Sequence, residues 1–530
     1  MYNFLNLLSW LFKLMLPNII FIVLDALRAD GINATHNGKL LTPNIKKLLS
    51  NSLYFKNCIS NSTWTLPSHL SMFTGLYPTQ IKLTGKYLDR LNDRVPVLTE
   101  ILKDQGYYTI CYTENPWVSS YFKVTRGFHK ILNNYGLSFF NMNKNKVSDS
   151  MNFFLNFFNK IIVKRIRSKR FLDSWKIFNL IIVNINKKIV RTIFWKKFLC
   201  EYKNTIKIFE KFDNILPNYL NGKPLYLFFN IMATHSPYIP VKEALNYLKI
   251  TFKDIKILKH FLLNPGIYFH RINYRSKFLN KEQIKVLRKL YDSCVYYCDL
   301  IIEKLILILR KLGLLENSYI IITSDHGEHL CSQLDHHWYG HGVYQSVLDS
   351  QIKVPLIIYN PKLNPQIIDD QVELKDLFYT ILHLIGFPND EDKSLNLQKS
   401  IIHQINNIST PKYIFGENLK PKKEIISQIK AFKRYIKPSL IPKLFYNSYF
   451  VRSKSYKYVR YEDKIEEFYD LINDPYEQVN IISDNHEECN NMKHYLKEHL
   501  KNIENPENLT NILTEKEKSI VKKAIKNIKI

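Results

Sequence analysis

The sequence is poor in cysteine, and the few cysteines exclude a disulfide scaffold. Seven are scattered over 530 residues. Because their number is odd and no Cys-x-x-Cys pair occurs, neither a disulfide framework nor a zinc ribbon is indicated. Cys294 and Cys298 lie one helical turn apart, a spacing more typical of core residues than of a functional pair. This cysteine usage favours a reducing compartment.

Long uninterrupted apolar runs are also missing. The first 16 residues are apolar, but Asn3, Asn6 and Lys13 interrupt them, and neither a basic n-region nor a small-residue cleavage site is present. A secretory signal is therefore not expected. The run is shorter than the roughly 20 residues that a membrane span needs. We expect a cytoplasmic protein, with attachment of this segment to a membrane surface as the alternative.

Acidic residues are outnumbered. The chain has 75 Lys and Arg against 47 Asp and Glu, which gives a formal net charge of +28. Such an excess favours anionic partners, namely phosphate or sulfate esters or anionic lipid. A genome rich in Ile, Lys and Asn codons explains it equally well. We expect no nucleic-acid partner.

Hydrophobic residues make up 46%, which is typical of a globular protein, and the length predicts two domains.

Acidic residues are scarcest between 150 and 200, where the run KRIRSKR at 164–170 lies among Phe and Trp residues. We interpret 137–222 as a basic, aromatic, helical insertion in a catalytic domain. Helices packed on the core with solvated Lys and Arg faces account for this composition. The alternative is an element that docks on an anionic membrane surface or on the substrate.

Polar residues follow three predominantly apolar runs. Such β-branched runs predict strands that are buried on both faces of a parallel sheet. Functional groups collect beyond the carboxyl ends of strands in open α/β sheets, so we expect these residues to share one site. A helix cap is the alternative for Asp25, and an ordinary loop histidine is the alternative for His235. The run at 18–24 is followed by Asp25, the run at 225–232 by His235, and the run at 319–323 by Asp325 and His326.

A hydroxyl-rich loop at 61–65 leads into a short apolar helix that ends at Gly75 and is closed by Pro78. Ser or Thr before such a run and Gly followed by Pro after it are helix start and stop signals. The start of a helix carries unpaired N–H groups and a partial positive charge, which suits an anionic ligand. Thr65, at this start, is the candidate nucleophile.

The segments TLPSH at 65–69 and TGLYP at 74–78 resemble the active-site segment of the sulfatases, within the alkaline-phosphatase superfamily. That segment reads Cys/Ser-x-Pro-Ser-Arg and is followed by a short helix and Thr-Gly-x-Tyr-Pro. Thr65 stands where the family carries the residue that is oxidised to formylglycine, and His69 stands in place of Arg. Threonine cannot form that aldehyde, so the usual route of sulfate release is closed to Thr65.

The resemblance extends over about 17–130 and 223–485. It includes a first metal-binding segment, a His-x-Pro-Tyr loop, an Asp-His-Gly segment after a strand, and a turn near the C-terminus. Ala26 replaces a second acid of the first segment, and His341 with Gly342 stands in place of a Lys-Gly pair. The four segments are LDALRAD at 24–30, HSPY at 235–238, DHG at 325–327 and DPYEQVN at 474–480.

The resemblance implies an α/β fold, an alkaline-phosphatase-like three-layer sandwich with a mostly parallel central sheet. It also implies a small C-terminal subdomain with an antiparallel sheet. We accordingly divide the chain into four parts. They are an N-terminal apolar segment at 1–16, a catalytic domain at 17–400 that contains the insertion, an α+β subdomain at 401–485 and a charged helical tail at 486–530.

The resemblance also implies the site. One divalent ion, Ca²⁺, Mg²⁺, Mn²⁺ or Zn²⁺, would be held by hard, mostly oxygen ligands. The nucleophile would be one of these ligands and would form a covalent intermediate with the ester. The implied metal ligands are Asp25, Thr65, Asp325 and His326, the catalytic residues are Thr65, His235 and His341, and the substrate-binding residues are Ser68, His69, His235 and His341.

We therefore expect a metal-dependent hydrolase or transferase of anionic esters, with phosphoesters favoured over sulfate esters. A threonine nucleophile with two Asp and one His is similar to the single-metal site of phosphoglycerol and phosphoethanolamine transferases. One alternative is a true sulfatase that works without formylglycine. Another is a non-catalytic protein that binds anions or glycans, although the complete set of site residues argues against it.

Overall fold

The computed structural model describes most of the chain, with gaps. The described residues are 16–83, 90–133, 209, 212–214, 216–220, 222–263, 265–274, 278–342, 346–387, 397–420, 440–462, 465–484 and 486–504. The strands among them are β1 (Asn18–Leu24), β2 (Thr35–His36), β3 (Lys39–Leu40), β4 (Ser52–Ile59), β5 (Tyr108–Thr113), β6 (Lys130–Asn133), β7 (Leu225–Ile231), β8 (Ser318–Thr323), β9 (His329–Leu330), β10 (Tyr339–Gly340), β11 (Lys353–Tyr359), β12 (Gln366–Glu373), β13 (Ile414–Asn418), β14 (Ser448–Arg452), β15 (Tyr456–Tyr461) and β16 (Glu466–Asp470).

The helices surround these strands. They are α1 (Pro43–Leu48), α2 (Thr65–Thr74), α3 (Leu98–Asp104), α4 (Lys242–Leu248), α5 (Phe252–Ile257), α6 (Lys259–Leu263), α7 (Pro265–Asn273), α8 (Lys281–Lys311), α9 (Asp349–Ile352), α10 (Leu377–Leu384), α11 (Ile401–Asn406), α12 (Ile441–Phe445) and α13 (Glu487–Glu504). Short 3-10 segments are Ala29–Gly31, Leu49–Asn51, Leu216–Tyr219, Leu315–Asn317, Leu374–Asp376, Leu397–Lys399 and Ile482–Asp484.

The central sheet has eight strands in the order β12-β4-β11-β8-β1-β7-β5-β6. Strand β11 runs antiparallel to its neighbours β4 and β8, and the other neighbouring pairs in this sheet are parallel. The predicted mostly parallel sheet is therefore confirmed. Strand β1 lies in the interior of the sheet, where Phe21 is paired with Phe228 on one side and Ile321 on the other.

Alternate residues of β1 enter two different cores, because successive side chains of a strand point to opposite faces of the sheet. Ile20 and Ile22 belong to a core that is closed by the long helix α8, whereas Phe21 belongs to a second core that includes α2 and α10. A sheet with helices packed on both faces is the predicted three-layer α/β arrangement.

Helix α2 ends as the sequence predicts. Gly75 caps it with φ 70°, a left-handed conformation that glycine adopts without strain. A Cβ at this position would lie 2.8 Å from the ring of Tyr379. Both the backbone conformation and the close contact with α10 therefore require glycine at the end of the helix that begins with Thr65.

A second, antiparallel sheet lies near the C-terminus, in the order β13-β14-β15-β16. The predicted small antiparallel subdomain is thus present. Helix α13 packs on this sheet, with Met492 and Leu496 in one cluster with Phe468. This helix lies in the part of the chain that the sequence-based division treats as a tail from residue 486, and residues 505–530 lie outside the described ranges.

The basic run at 164–170 and most of the predicted insertion at 137–222 lie outside the described residues, as do residues 1–15. Their predicted structure and the predicted surface contacts stay predictions. Within the described ranges, no helix combines the length and the hydropathy that crossing a bilayer requires.

A buried ion-pair cluster joins the second sheet to the catalytic domain. Asp349, at the start of α9, accepts from Arg452 Nη2 at 2.8 Å and from Lys457 Nζ at 3.0 Å. These two cations belong to strands β14 and β15. We expect Asp349→Ala to lower the free energy of unfolding by about 3–5 kcal/mol, because it leaves the buried Arg452 without its carboxylate partner and Lys457 with Glu477 alone. Chemical denaturation measures this loss.

The matched control is Asp370→Ala. Asp370 pairs with Lys454, and both side chains are exposed, 40% and 54% respectively. An exposed pair contributes only about 0–1 kcal/mol. Equal destabilisation by the two substitutions would contradict the importance of burial at Asp349.

Candidate active site

Five parallel strands end at one edge of the central sheet, and each delivers polar groups there. Strand β1 is followed by Asp25, β8 by Asp325 and His326, and β4 by the loop that leads to Thr65. The two remaining strands contribute amides. The residues are Asn115, just after β5, and Asn230, the penultimate residue of β7.

Asp25, Asp325 and His326 form a cluster that could hold a metal ion. Their donor atoms lie within 4.8 Å of one another, and all three residues are buried. His326 Nε2 lies 3.7 Å from Asp25 Oδ1 and 3.4 Å from Asp325 Oδ2. Among the described residues, these two carboxylate oxygens have no hydrogen-bond partner. Unpartnered buried carboxylate oxygens beside an imidazole nitrogen fit a hard divalent cation.

The electrostatics of this cluster also fit a cation. Burial acts to raise the pKa of Asp25, but three surrounding histidines and a hydrogen bond from Asn115 outweigh it and lower that pKa. Burial and the charge of Asp25 raise the pKa of Asp325 to about 8. Two carboxylates this close resist being ionised together. A divalent cation between them would offset the repulsion.

The backbone orients the cluster. Ala26 has φ 62°, a left-handed conformation that is uncommon for a residue other than glycine. Its N–H donates to Asp325 Oδ1 at 3.2 Å, and the N–H of His326 donates to the same oxygen at 3.0 Å. Asp325 Oδ1 is therefore occupied, and Oδ2 is left to face the cluster. Ala26, which replaces the second acid of the first metal-binding segment, thus orients the Asp325 carboxylate through its backbone N–H.

Gly327 is needed for space. A Cβ on this residue would lie 2.1 Å from the carbonyl oxygen of Ser350. The φ of Gly327 is outside the left-handed region, so this close contact and not the backbone conformation requires glycine. Gly327 also orients the imidazole before it, because His326 Nδ1 donates to the carbonyl oxygen of Gly327 at 2.8 Å. Nε2 of His326 therefore keeps its lone pair for a ligand.

Thr65 is the first residue of α2 and is 2% exposed. Its Oγ1 lies 3.4 Å from His326 Nε2 and accepts from Asn115 Nδ2 at 3.2 Å. The hydroxyl thus borders the carboxylate–imidazole cluster. The structure brings together the four predicted metal ligands, with the threonine at the start of its helix.

Ser68 and His69 lie within the protein rather than beside open space. Ser68 Oγ is 3.2 Å from Ser60 Oγ. His69 is fully buried, and its Nδ1 donates to the carbonyl oxygen of Thr65 at 2.8 Å. Its Nε2 accepts from Asn230 at 3.3 Å. These contacts hold the start of α2, and His69 Nδ1 also lies 3.6 Å from Asp325 Oδ2.

His341 packs against both His326 and His235. The His341 ring centroid is 4.3 Å from that of His326 and 4.5 Å from that of His235. Nδ1 of His341 donates to Glu328 Oε2 at 2.5 Å. Glu328 in turn accepts from the hydroxyl of Tyr238 at 2.6 Å. Burial raises the pKa of Glu328 to about 7 and lowers that of His341 well below its usual range.

Sequence reasoning missed Asn115, Asn230 and Glu328. Asn115 comes just after β5, as Asp25 comes just after β1, but it belongs to none of the four segments of the resemblance. Asn230 interrupts an apolar run, and a single polar residue in such a run carries little information by itself. Glu328 follows the Asp-His-Gly segment directly, where it reads as one more loop residue.

Comparisons with known proteins agree with this geometry. A sequence model of the Sulfatase family matches residues 17–387. An arylsulfatase of Clostridium perfringens is 24% identical over 88% of this chain and 91% of its own. Bovine (Bos taurus) arylsulfatase K is 23% identical over 88% of this chain and 78% of its own.

Solved structures show the same fold. The phosphonate monoester hydrolase of Agrobacterium radiobacter superimposes with a TM-score of 0.61 at 17% identity, covering 92% of this chain and 95% of its own. A second protein, solved in complex with its substrate D-glucosamine-2-N,6-O-disulfate, superimposes with a TM-score of 0.59 at 17% identity. The match covers 93% of this chain and 99% of that protein's chain.

Proposed function

This chain belongs to the sulfatase family and is a hydrolase of that family; we propose that it cleaves phosphate esters in preference to sulfate esters, with Thr65 as its nucleophile. The observation that carries the proposal is the position of Thr65 Oγ1, 3.4 Å from His326 Nε2 at the start of a helix. An attacking oxygen there meets a partial positive charge and the ligands of a cation.

The reaction follows from what a threonine hydroxyl can do. Oγ1 of Thr65 attacks phosphorus, a bond from Oγ1 to phosphorus forms, and the bond to the leaving oxygen breaks. The proton of the hydroxyl is lost to a neighbouring base or to water, and the leaving oxygen takes up a proton. Water, or an acceptor alcohol in a transferase, then resolves the phosphothreonine and regenerates Thr65. His235 and His341 would hydrogen-bond the leaving oxygen or the non-bridging oxygens.

A divalent cation, when bound by Asp25, Asp325 and His326 together with Thr65, would neutralise charge on the ester and lower the pKa of the hydroxyl. The residues of the chain orient these groups. The N–H groups of Ala26 and His326 hold the Asp325 carboxylate. Glu328 and Tyr238 hold the ring of His341. Elemental analysis of the purified protein would identify the bound ion among Ca²⁺, Mg²⁺, Mn²⁺ and Zn²⁺.

The test is a substrate comparison on the wild-type protein. We expect p-nitrophenyl phosphoesters to be turned over at least about tenfold faster than p-nitrophenyl sulfate in kcat/KM, which is about 1.4 kcal/mol of transition-state free energy. The reason is that a threonine ester has no second hydroxyl through which to eliminate sulfate. The assays are run with each of the four cations and with a chelator. Efficient sulfate release with no phosphoester cleavage under any metal would overturn the proposal.

A second candidate is hydrolysis of sulfate esters without formylglycine. It is favoured by the names of the relatives, which are arylsulfatases, and by the glucosamine disulfate bound to a structural neighbour. The same comparison separates the two candidates. The anionic ester could belong to a glycan or a lipid. The cytoplasmic location and the docking of 150–200 on an anionic membrane remain proposals that rest on composition alone.

A further inference from the structure

Asn115, which belongs to no sequence motif, lies beside the proposed nucleophile. Asn115 is 1% exposed, and its Nδ2 donates to Asp25 Oδ2 at 2.7 Å and to Thr65 Oγ1 at 3.2 Å. Because an amide nitrogen carries two hydrogens, it can serve both oxygens at once. Asn115 therefore joins a proposed metal ligand to the proposed attacking oxygen.

The orientation of this amide is determined by its surroundings. Asn115 Oδ1 accepts from the backbone N–H of Trp117 at 2.9 Å. A backbone N–H can only donate and a carboxylate can only accept, so the oxygen faces Trp117 and the nitrogen faces Asp25. The assignment of the two amide atoms is thus unambiguous.

The loop that carries Asn115 is held on both sides. The Oγ1 of Thr113, the last residue of β5, accepts from the Asn115 N–H and donates to its carbonyl oxygen, both at 3.2 Å. The rings of Trp64 and Trp117 meet edge to face, with centroids 5.4 Å apart. The residue before the nucleophile is therefore packed against this loop, so the donor and the hydroxyl keep their relative positions. Such preorganisation is what makes a donor effective in catalysis.

We propose that Asn115 is a further catalytic residue, which donates a hydrogen bond to the oxygen of Thr65 as negative charge develops on it. The inference rests on the proposed role of Thr65 as nucleophile. In the first half-reaction this hydrogen bond stabilises the attacking oxygen. In the second, the same oxygen is the leaving group of phosphothreonine and is stabilised in the same way.

Asn230 provides the matched comparison. Its Nδ2 also donates to Asp25 Oδ2, at 3.2 Å, but its second contact is His69 Nε2 at 3.3 Å. Both asparagines thus hold the same carboxylate oxygen, and only Asn115 touches Thr65. A role that acts only through Asp25 would be shared by the two residues, whereas the proposed role belongs to Asn115 alone.

The experiment compares Asn115→Ala with Asn230→Ala. The rate at which phosphothreonine forms is followed by rapid quench with p-nitrophenyl phosphate or methyl p-nitrophenyl phosphate, whichever the wild-type enzyme turns over, at saturating metal. We expect Asn115→Ala to slow this step by about 10²–10³-fold, as expected for loss of a preorganised donor, and Asn230→Ala to slow it far less. Metal affinity, measured separately by calorimetry, is expected to fall by about 10–100-fold in both.

Asn115→Leu is the second variant, because it keeps the approximate size of the side chain while it removes the donor. We expect it to fold and to form phosphothreonine at least as slowly as Asn115→Ala. A wild-type rate in either Asn115 variant, or an equal slowing by Asn230→Ala at saturating metal, would overturn the role of Asn115. If the wild-type enzyme cleaves only p-nitrophenyl sulfate, the proposed phosphoester activity is wrong, and the same three variants test Asn115 with that ester.

Discussion

Replacing Thr65 with alanine is expected to lower kcat by several orders of magnitude, because only binding and electrostatic stabilisation remain when a nucleophile is removed. Thr65→Ser is expected to keep part of the activity, since it retains the hydroxyl without the β-branch that restricts the rotamer. Steady-state kinetics with the phosphoester substrate measure both effects. Mass spectrometry of wild-type enzyme trapped during turnover is expected to find a phosphoryl group on Thr65.

The matched control for this prediction is Thr74→Ala. Thr74 lies at the other end of the same helix, and its Oγ1 donates to the carbonyl oxygen of Leu70 at 2.7 Å. We expect near-wild-type turnover, because this hydroxyl bonds only backbone groups at the end of the helix, the carbonyl oxygen of Leu70 and the N–H of Leu76. Wild-type turnover by Thr65→Ala, or a phosphoryl group found on another residue, would remove Thr65 from the role of nucleophile.

Asp325→Ala is expected to abolish activity and to lower the metal content of the purified protein. Asp325 Oδ2 is one of the two unpartnered carboxylate oxygens at the cluster, so its removal takes away both charge and a ligand. Elemental analysis after gel filtration measures the metal directly and does not depend on activity. Full metal occupancy in this variant would contradict the assignment of the site.

Asp299→Asn is the control for Asp325→Ala. Asp299 is also fully buried, but its carboxylate accepts from the backbone N–H groups of Asn44 and Ile45 at the start of α1. Weakening these hydrogen bonds is expected to reduce stability without changing metal content. The comparison separates the loss of a buried carboxylate in general from the loss of a metal ligand.

Much of the site can be predicted from sequence, because three of its residues follow predominantly apolar runs. Asp25, Asp325 and His326 each come after a strand that is buried on both faces, and the carboxyl ends of parallel strands meet at one edge. Local signals also placed α2, since a hydroxyl-rich start and Gly75 at its end are properties of the segment itself.

The parts that could not be predicted depend on residues far apart in sequence. The position of β11, antiparallel between β4 and β8, follows from long-range pairing that no local pattern encodes. The need for glycine at 327 comes from the backbone of Ser350 in α9, which lies against it. The roles of Asn115 and Asn230 depend on which carboxylate lies opposite them.

The sequence by itself determined the elements of the protein, its family resemblance and the chemical types gathered at the strand ends, because hydrophobic periodicity and capping signals are local. Only the tertiary structure decided which atoms meet. It placed Thr65 Oγ1 between His326 and Asn115, and it left one oxygen of each carboxylate facing the cluster. Distances of a few ångströms between residues hundreds of positions apart are set by the packing of the whole sheet and its two layers of helices.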